Sequence, residues 1–120
     1  MVKSTLVIGA SLRESRFSNI CVRTLAAGHF PVTALGLREG FIDNIPVQSG
    51  FPVLQGIHTI TLYLGPQNQP VYYDYILNLK PERVIFNPGT ENPEFQQALA
   101  KAGIGFTEDC TIMMVEGDRF

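Results

Sequence analysis

Serine and arginine side chains follow the first apolar stretch closely enough to form an anion site. Residues 6–8 are an apolar run that ends abruptly at Gly9, and Ser11, Arg13 and Arg16 follow before a helical pattern begins. Small residues let the backbone approach an anion, and the N–H groups at a helix start point towards it. The stretch is therefore typical of a strand, turn and helix that bind nucleotide phosphates.

Composition limits the classes of protein that need consideration. The 120 residues suffice for one domain, expected to span 1–120, and 45% hydrophobic with 17% charged residues argues against disorder. A net charge of −2 and a pI near 5.6 argue against a nucleic-acid partner. Apolar runs are too short for a membrane span and no basic, then apolar leader opens the chain. Two scattered cysteines and two histidines predict a cytoplasmic protein without a disulfide framework or a metal.

The spacing of apolar residues predicts alternating strands and helices. A helix is expected to begin near Ser18 and end at Gly28, because residues 20–26 place apolar side chains on one face. The other expected elements are strands 6–8, 32–37, 45–48 (at an edge), 58–64, 83–86 and 105–108, and helices 69–79 and 93–102. The apolar stretch 112–115 of the tail is expected to pack on the domain rather than to form a dimer surface.

This alternation predicts an α/β fold with a single Rossmann-like, doubly wound, mostly parallel sheet of five to six strands and helices on both faces. In such sheets the ligand lies beyond the carboxyl ends of the strands, beside the first strand. That rule selects four polar, Gly- and Pro-rich stretches as the rim of a site. They are residues 9–19, 36–39, 64–67 and 87–90.

The residues at the first two strand ends narrow the choice of nucleotide. Ser11 and Glu14 occupy the second and third glycine positions of the dinucleotide fingerprint, and no Gly-Lys-Ser/Thr of a P-loop follows. Glu39 could meet ribose hydroxyls, but Arg38 precedes it, and a cation there suits a ribose phosphate better. NADP and coenzyme A (CoA) both carry such a phosphate.

The segment Gly9-Ala10-Ser11, followed by Arg16 and Ser18, resembles the phosphate loop of the small CoA-binding proteins. These are single domains similar to the CoA-binding domain of the succinyl-CoA synthetase alpha subunit. The likeness continues through residues 36–38, 43–47, 62–66 and 108–110, and so covers nearly the whole chain. The Gly-Ala-Ser loop with its Arg-x-Ser is the most specific part.

The resemblance implies particular contacts with CoA. The backbone of Gly9, Ala10 and Ser11, the Ser11 hydroxyl, Arg16 and Ser18 would hold its phosphates, and Arg38 would meet the ribose 3′-phosphate. Leu64, Gly65, Pro66 and Gln67 would line the adenine or pantetheine path, and the remaining candidates are Arg13, Asn19, Gly36, Leu37, Gly89 and Thr90. Gly36-Leu37 replaces a frequent Asn-Pro of the family, and Asn19 stands where an aromatic is common. The second domain of the synthetase is absent, so its ligation chemistry is not carried over.

The sequence thus predicts a protein that binds CoA or an acyl-CoA without catalysis of its own. No nucleophile–base pair and no acid–base pair of carboxylates can be assembled from the motifs. Cys21 is expected to be buried in the core, and Cys110 to be structural. Two alternatives stay open, an NADP-binding oxidoreductase-like protein and an interaction module with an empty crevice, and so does association into a homodimer or with a partner protein.

Overall fold

A seven-stranded sheet is the frame of the computed structural model, which describes residues 2–120. In chain order the strands are β1 (Thr5–Ile8), β2 (Val32–Leu35), β3 (Gly40–Ile42), β4 (Ile45–Gln48), β5 (Thr59–Leu62), β6 (Arg83–Phe86) and β7 (Gly105–Glu108). Their order across the sheet is β3-β4-β2-β1-β5-β6-β7, and every neighbouring pair is parallel except β3 with β4. The predicted α/β, mostly parallel fold is confirmed, with seven strands instead of five to six.

Helices cover both faces of this sheet, as predicted. They are α1 (Phe17–Ala27), α2 (Tyr73–Leu79), α3 (Pro93–Lys101) and α4 (Thr111–Glu116). On one face α1 and α4 place Cys21, Leu25 and Met114 against Val7 and Val47. On the other face α2 and α3 pack in a core cluster with β1, β5 and β6. The expected packing of the tail and the burial of Cys21 are therefore confirmed.

The strand that the sequence did not predict is β3, at the edge of the sheet. The chain turns back at Asp43 and Asn44, and β3 pairs antiparallel with β4. Asp43 adopts φ +53°, a conformation that Asp tolerates better than most residues. Ile45–Gln48 is a strand as predicted, but its placement at an edge was wrong because β3 covers it. A three-residue strand is too short to show a periodic pattern.

Three predicted elements are shorter or less regular than expected. The strand expected at 32–37 ends at Leu35, and the one expected at 58–64 spans Thr59–Leu62. The helix expected from residue 69 begins as a 3₁₀ turn at Pro70–Tyr72 before α2, and another 3₁₀ turn, Pro66–Asn68, precedes it. Each turn opens with a proline, whose missing N–H is tolerated in a first turn but not in a helix interior.

A buried asparagine joins three elements at the carboxyl ends of β5 and β6. The Asn87 Nδ2 donates to Thr61 Oγ1 (2.7 Å) and to the Leu62 carbonyl (2.8 Å). The Thr111 N–H, at the start of α4, donates to Asn87 Oδ1 (2.9 Å). Asn87 is almost fully buried, so it satisfies polar groups that water does not reach.

Replacement of Asn87 by alanine should therefore destabilise the fold. Loss of three hydrogen bonds, with buried partners left unsatisfied, is expected to lower the free energy of unfolding by about 2–4 kcal/mol. The exposed Asn68, replaced in the same way, is the matched control and should change it by less than about 0.5 kcal/mol. Urea denaturation of both variants measures the difference, and equal stabilities would contradict the role given to Asn87.

Candidate functional site

A cavity among the described residues lies at the carboxyl end of β1, where the neighbours β2 and β5 end beside it. It has a volume of about 670 Å³, within the usual range of small-molecule sites. It is lined by Gly9, Ala10, Ser11, Leu12, Arg13, Arg16, Phe17, Ser18, Leu37, Arg38, Tyr63 and Leu64. The sheet thus brings together the first three of the four predicted rim stretches.

The loop after β1 crosses the end of β2 at very close range. The N–H groups of Gly9 and Ala10 both donate to the Leu35 carbonyl, at 2.9 and 3.0 Å. A Cβ on Gly36 would lie 2.2 Å from the Ala10 carbonyl oxygen, and one on Gly9, at φ +95°, would lie 3.0 Å from the Tyr63 carbonyl. Glycine is required at both positions because the backbones themselves occupy the space.

The same loop is tied to the start of α1 by side chains. The Ser11 N–H donates to Ser18 Oγ (3.1 Å), and Asn19 Nδ2 donates to the Ser11 carbonyl (2.8 Å). The Arg13 N–H donates to Ser11 Oγ (3.2 Å), which leaves the Ser11 hydroxyl hydrogen free to donate elsewhere. Ser18 and Asn19 are both buried, so their side chains fix the loop.

These bonds bear on the residues whose backbone the sequence analysis expects to hold phosphates. The N–H groups of Gly9, Ala10 and Ser11 all donate to acceptors within the protein. The first turn of α1 offers its own N–H groups instead, because these have no partner inside a helix. Arg16 is the N-cap residue, and its side chain makes no capping hydrogen bond.

Three arginines give the cavity its electrostatic character. Arg13, Arg16 and Arg38 line it, and all three are exposed. Among residues 2–120 one ion pair is formed, between Arg119 and Asp109. The three arginines of the cavity therefore have no carboxylate paired with them among these residues. Positive side chains beside a positive helix end favour an anionic ligand.

Apolar side chains stand at the rim between these charges. The side chains of Phe17 and Leu37 are 72% and 90% exposed, and Leu12 and Leu64 also border the cavity. Exposed apolar groups beside cationic ones suit a ligand with both phosphates and apolar parts. Leu12, Phe17 and Tyr63 were absent from the predicted site, although Leu12 and Phe17 lie in the polar stretch that the sequence singled out.

Seven predicted residues lie outside the lining of the cavity: Asn19, Gly36, Gly65, Pro66, Gln67, Gly89 and Thr90. Thr90 donates its hydroxyl hydrogen to the Asn87 carbonyl (2.8 Å), and its own carbonyl accepts from Gln69 (2.7 Å). The fourth predicted rim stretch is thus held in a hydrogen-bond network of the fold. Asn19 and Gly36 instead contact the loop after β1, Asn19 through its hydrogen bond to the Ser11 carbonyl and Gly36 through its close approach to Ala10.

Tyr63 has one end in the cavity and the other in the core. Its hydroxyl oxygen is buried and faces the Cys21 thiol. Burial raises the pKa of this hydroxyl, and burial also raises the pKa of the nearby Cys21 thiol to about 12. Both groups therefore stay protonated at neutral pH.

The protonated, buried Cys21 should resist alkylation. In a Cys110→Ser variant, where Cys21 is the remaining cysteine, reaction with iodoacetamide at pH 8 should be at least about a thousandfold slower in the folded protein than in guanidinium. Mass spectrometry of timed samples measures both rates. Comparable rates would show that Cys21 is accessible and ionisable in the folded state.

Comparisons with known proteins agree with this geometry. The chain belongs to the CoA binding domain family, whose model matches residues 3–116. The crystal structure of an uncharacterized protein is 38% identical, with a TM-score of 0.96, and the match covers 100% of this chain and 99% of that one. A search of the curated proteins finds no match.

Two more distant structures share the fold. Cell-free ID.343 from Thermus thermophilus is 24% identical, with a TM-score of 0.86, and 99% and 91% of the two chains are covered. A hypothetical protein from Pyrococcus horikoshii OT3 is 19% identical, with a TM-score of 0.86, and 98% and 83% are covered. Within residues 2–120 no helix is long and apolar enough to cross a membrane. The same residues contain no group of three or more His, Cys, Asp or Glu side chains placed to hold a metal.

Proposed function

We propose that this chain binds CoA, free or acylated, in the cavity at the carboxyl end of β1. The observation that carries the proposal is the set of three uncompensated arginines beside the uncapped first turn of α1. CoA carries a pyrophosphate and a ribose 3′-phosphate, which match this distribution of positive charge. The glycines at 9 and 36 bring the backbone close to where the diphosphate would lie.

Each part of the cavity suits a different part of the ligand. The first-turn N–H groups of α1, the Ser11 hydroxyl and Arg16 would hold the pyrophosphate. Arg38, at the end of β2, would pair with the ribose 3′-phosphate. Leu64 would line the path of the pantetheine arm, and the bound CoA would supply a thiol that carries the acyl group.

The residues at the cavity favour binding without catalysis. Its lining contains no His, Cys, Asp, Glu or Lys, so the Ser11 hydroxyl has no general base beside it. We therefore propose that the protein acts as a carrier, a sensor or the binding subunit of a partner enzyme. The thioester would be used by another protein.

NADP is the second candidate ligand, because Arg38 would also suit its ribose phosphate. The alternative anchor for a dinucleotide ribose, Glu39, accepts a hydrogen bond from Ser49 Oγ (2.9 Å) and lies outside the cavity lining. This contact favours CoA over a dinucleotide. Calorimetry with both ligands decides between them, and binding of neither would support an interaction module with an empty crevice.

Replacement of Arg16 by alanine should weaken CoA binding. Loss of one charge-assisted phosphate contact is expected to lower the affinity about ten- to a hundredfold in calorimetry. Arg119→Ala is the matched control, because Arg119 pairs with Asp109 away from the cavity and its loss should leave the affinity unchanged. Equal affinities of Arg16→Ala and the wild type would refute the phosphate site.

The proposed contact between Arg38 and the ribose 3′-phosphate can be tested with a ligand that lacks this phosphate. Wild-type protein should bind CoA roughly tenfold more tightly than dephospho-CoA, which lacks the 3′-phosphate. In Arg38→Ala the two ligands should bind with similar affinity, because the partner of that phosphate is gone. A preference for CoA that survives unchanged in Arg38→Ala would place the 3′-phosphate elsewhere.

A further inference from the structure

A glycine of the β3–β4 hairpin lies directly beneath the cavity-lining side chain of Leu12. A Cβ on Gly40 would be 2.9 Å from Leu12 Cδ1 and 3.0 Å from Cδ2. The Leu12 side chain therefore packs directly against the backbone at Gly40, the first residue of β3. Gly40 has no positive φ, so its backbone conformation suits any residue. The requirement for glycine here is one of space and not of conformation.

The hairpin that carries Gly40 is firmly held by the rest of the fold. β3 pairs with β4 along its length, and Ile42 and Val47 are buried in the core beside α1. The segment that carries Leu12 is tied to β2 through Ala10, to the start of α1 through Ser11, and to Arg23 through the Glu14 carbonyl. The Leu12 side chain itself is 39% exposed and meets Gly40 through its terminal methyl groups, so this side chain is the part that yields.

We infer that Gly40 is a positioning residue for the ligand cavity, acting through Leu12. This inference rests on the proposed function. A larger residue at 40 displaces the Leu12 side chain, which lines the cavity. The unpredicted edge hairpin thus sets the position of the Leu12 side chain at the cavity.

The binding test is a double-mutant cycle in calorimetry with CoA. Gly40→Ala should lower the affinity roughly tenfold or more, because the added methyl drives Leu12 into the cavity. Leu12→Ala alone should cost a few fold at most, and adding it to Gly40→Ala should restore the affinity of Leu12→Ala. A double variant as weak as Gly40→Ala would overturn the inference, and so would a Gly40→Ala protein that binds as the wild type does.

Gly28→Ala provides the matched control. Its Cβ would lie 3.1 Å from Phe30 Cε2, so it also presses on a movable side chain, but it lies outside the cavity lining. It should bind CoA with wild-type affinity. A loss equal to that of Gly40→Ala would show that any such crowding weakens binding, and the inference would fail.

Amide NMR without ligand separates this inference from the proposed function. Gly40→Ala should shift the signals of residues 10–16, and the double variant should return those of residues 13–16 to their positions in Leu12→Ala. If the wild type does not bind CoA, the proposed function fails, whereas the link between Gly40 and the loop is judged by these shifts alone. Unshifted loop signals in Gly40→Ala would contradict it.

Discussion

The site depends on one backbone crossing, in which two successive N–H groups of the β1 loop share the Leu35 carbonyl. Gly9 and Ala10 both donate to it, and the Ala10 carbonyl occupies the space that a side chain at Gly36 would need. The crossing turns the chain away from the sheet and directs it to the start of α1. The arginines that follow reach the cavity because this turn is fixed.

The crossing also explains which groups remain for a ligand. The tight turn uses the loop's own N–H groups, so the proposed anion would be bound by the positive end of α1 and the side chains of the polar stretch. Beside β5 and β6, by contrast, the polar side chains of the rim are themselves used in hydrogen bonds within the protein. Gln69 donates to the carbonyls of Leu64 and Thr90 and accepts from Asn92, so that part of the rim is closed by internal hydrogen bonds.

Much of the fold could be predicted from the sequence because the central strands are apolar and ended by Gly or Pro. β1, β6 and β7 agree closely with their predicted positions, and the strand-end rule placed the cavity at Gly9. The strand β3 could not be predicted, since its three residues are too few to show a periodic pattern. The sequence shows that Thr90 lies in a polar loop, but it does not show the hydrogen bond that Thr90 donates to the Asn87 carbonyl.

The side chains of Leu12, Phe17 and Tyr63 show the same limit. The type of an apolar residue does not show whether it contacts a ligand. The position of these three side chains at the cavity follows from how the loop, α1 and β5 meet. The arginines could be assigned to the cavity because they follow the ends of strands, where the sheet places its ligand sites. The polar residues therefore allowed the kind of ligand to be inferred from the sequence, whereas the shape of the cavity could not be inferred from it.

A crystal structure of the chain grown with CoA tests the central claim most directly. We expect the pyrophosphate to lie within hydrogen-bond distance of the first-turn N–H groups of α1 and of Arg16, with the 3′-phosphate at Arg38. CoA bound elsewhere, for instance in the smaller groove between Lys80 and Gly103, would contradict it. So would a complex in which the acyl-bearing end, rather than the diphosphate, faces the start of α1.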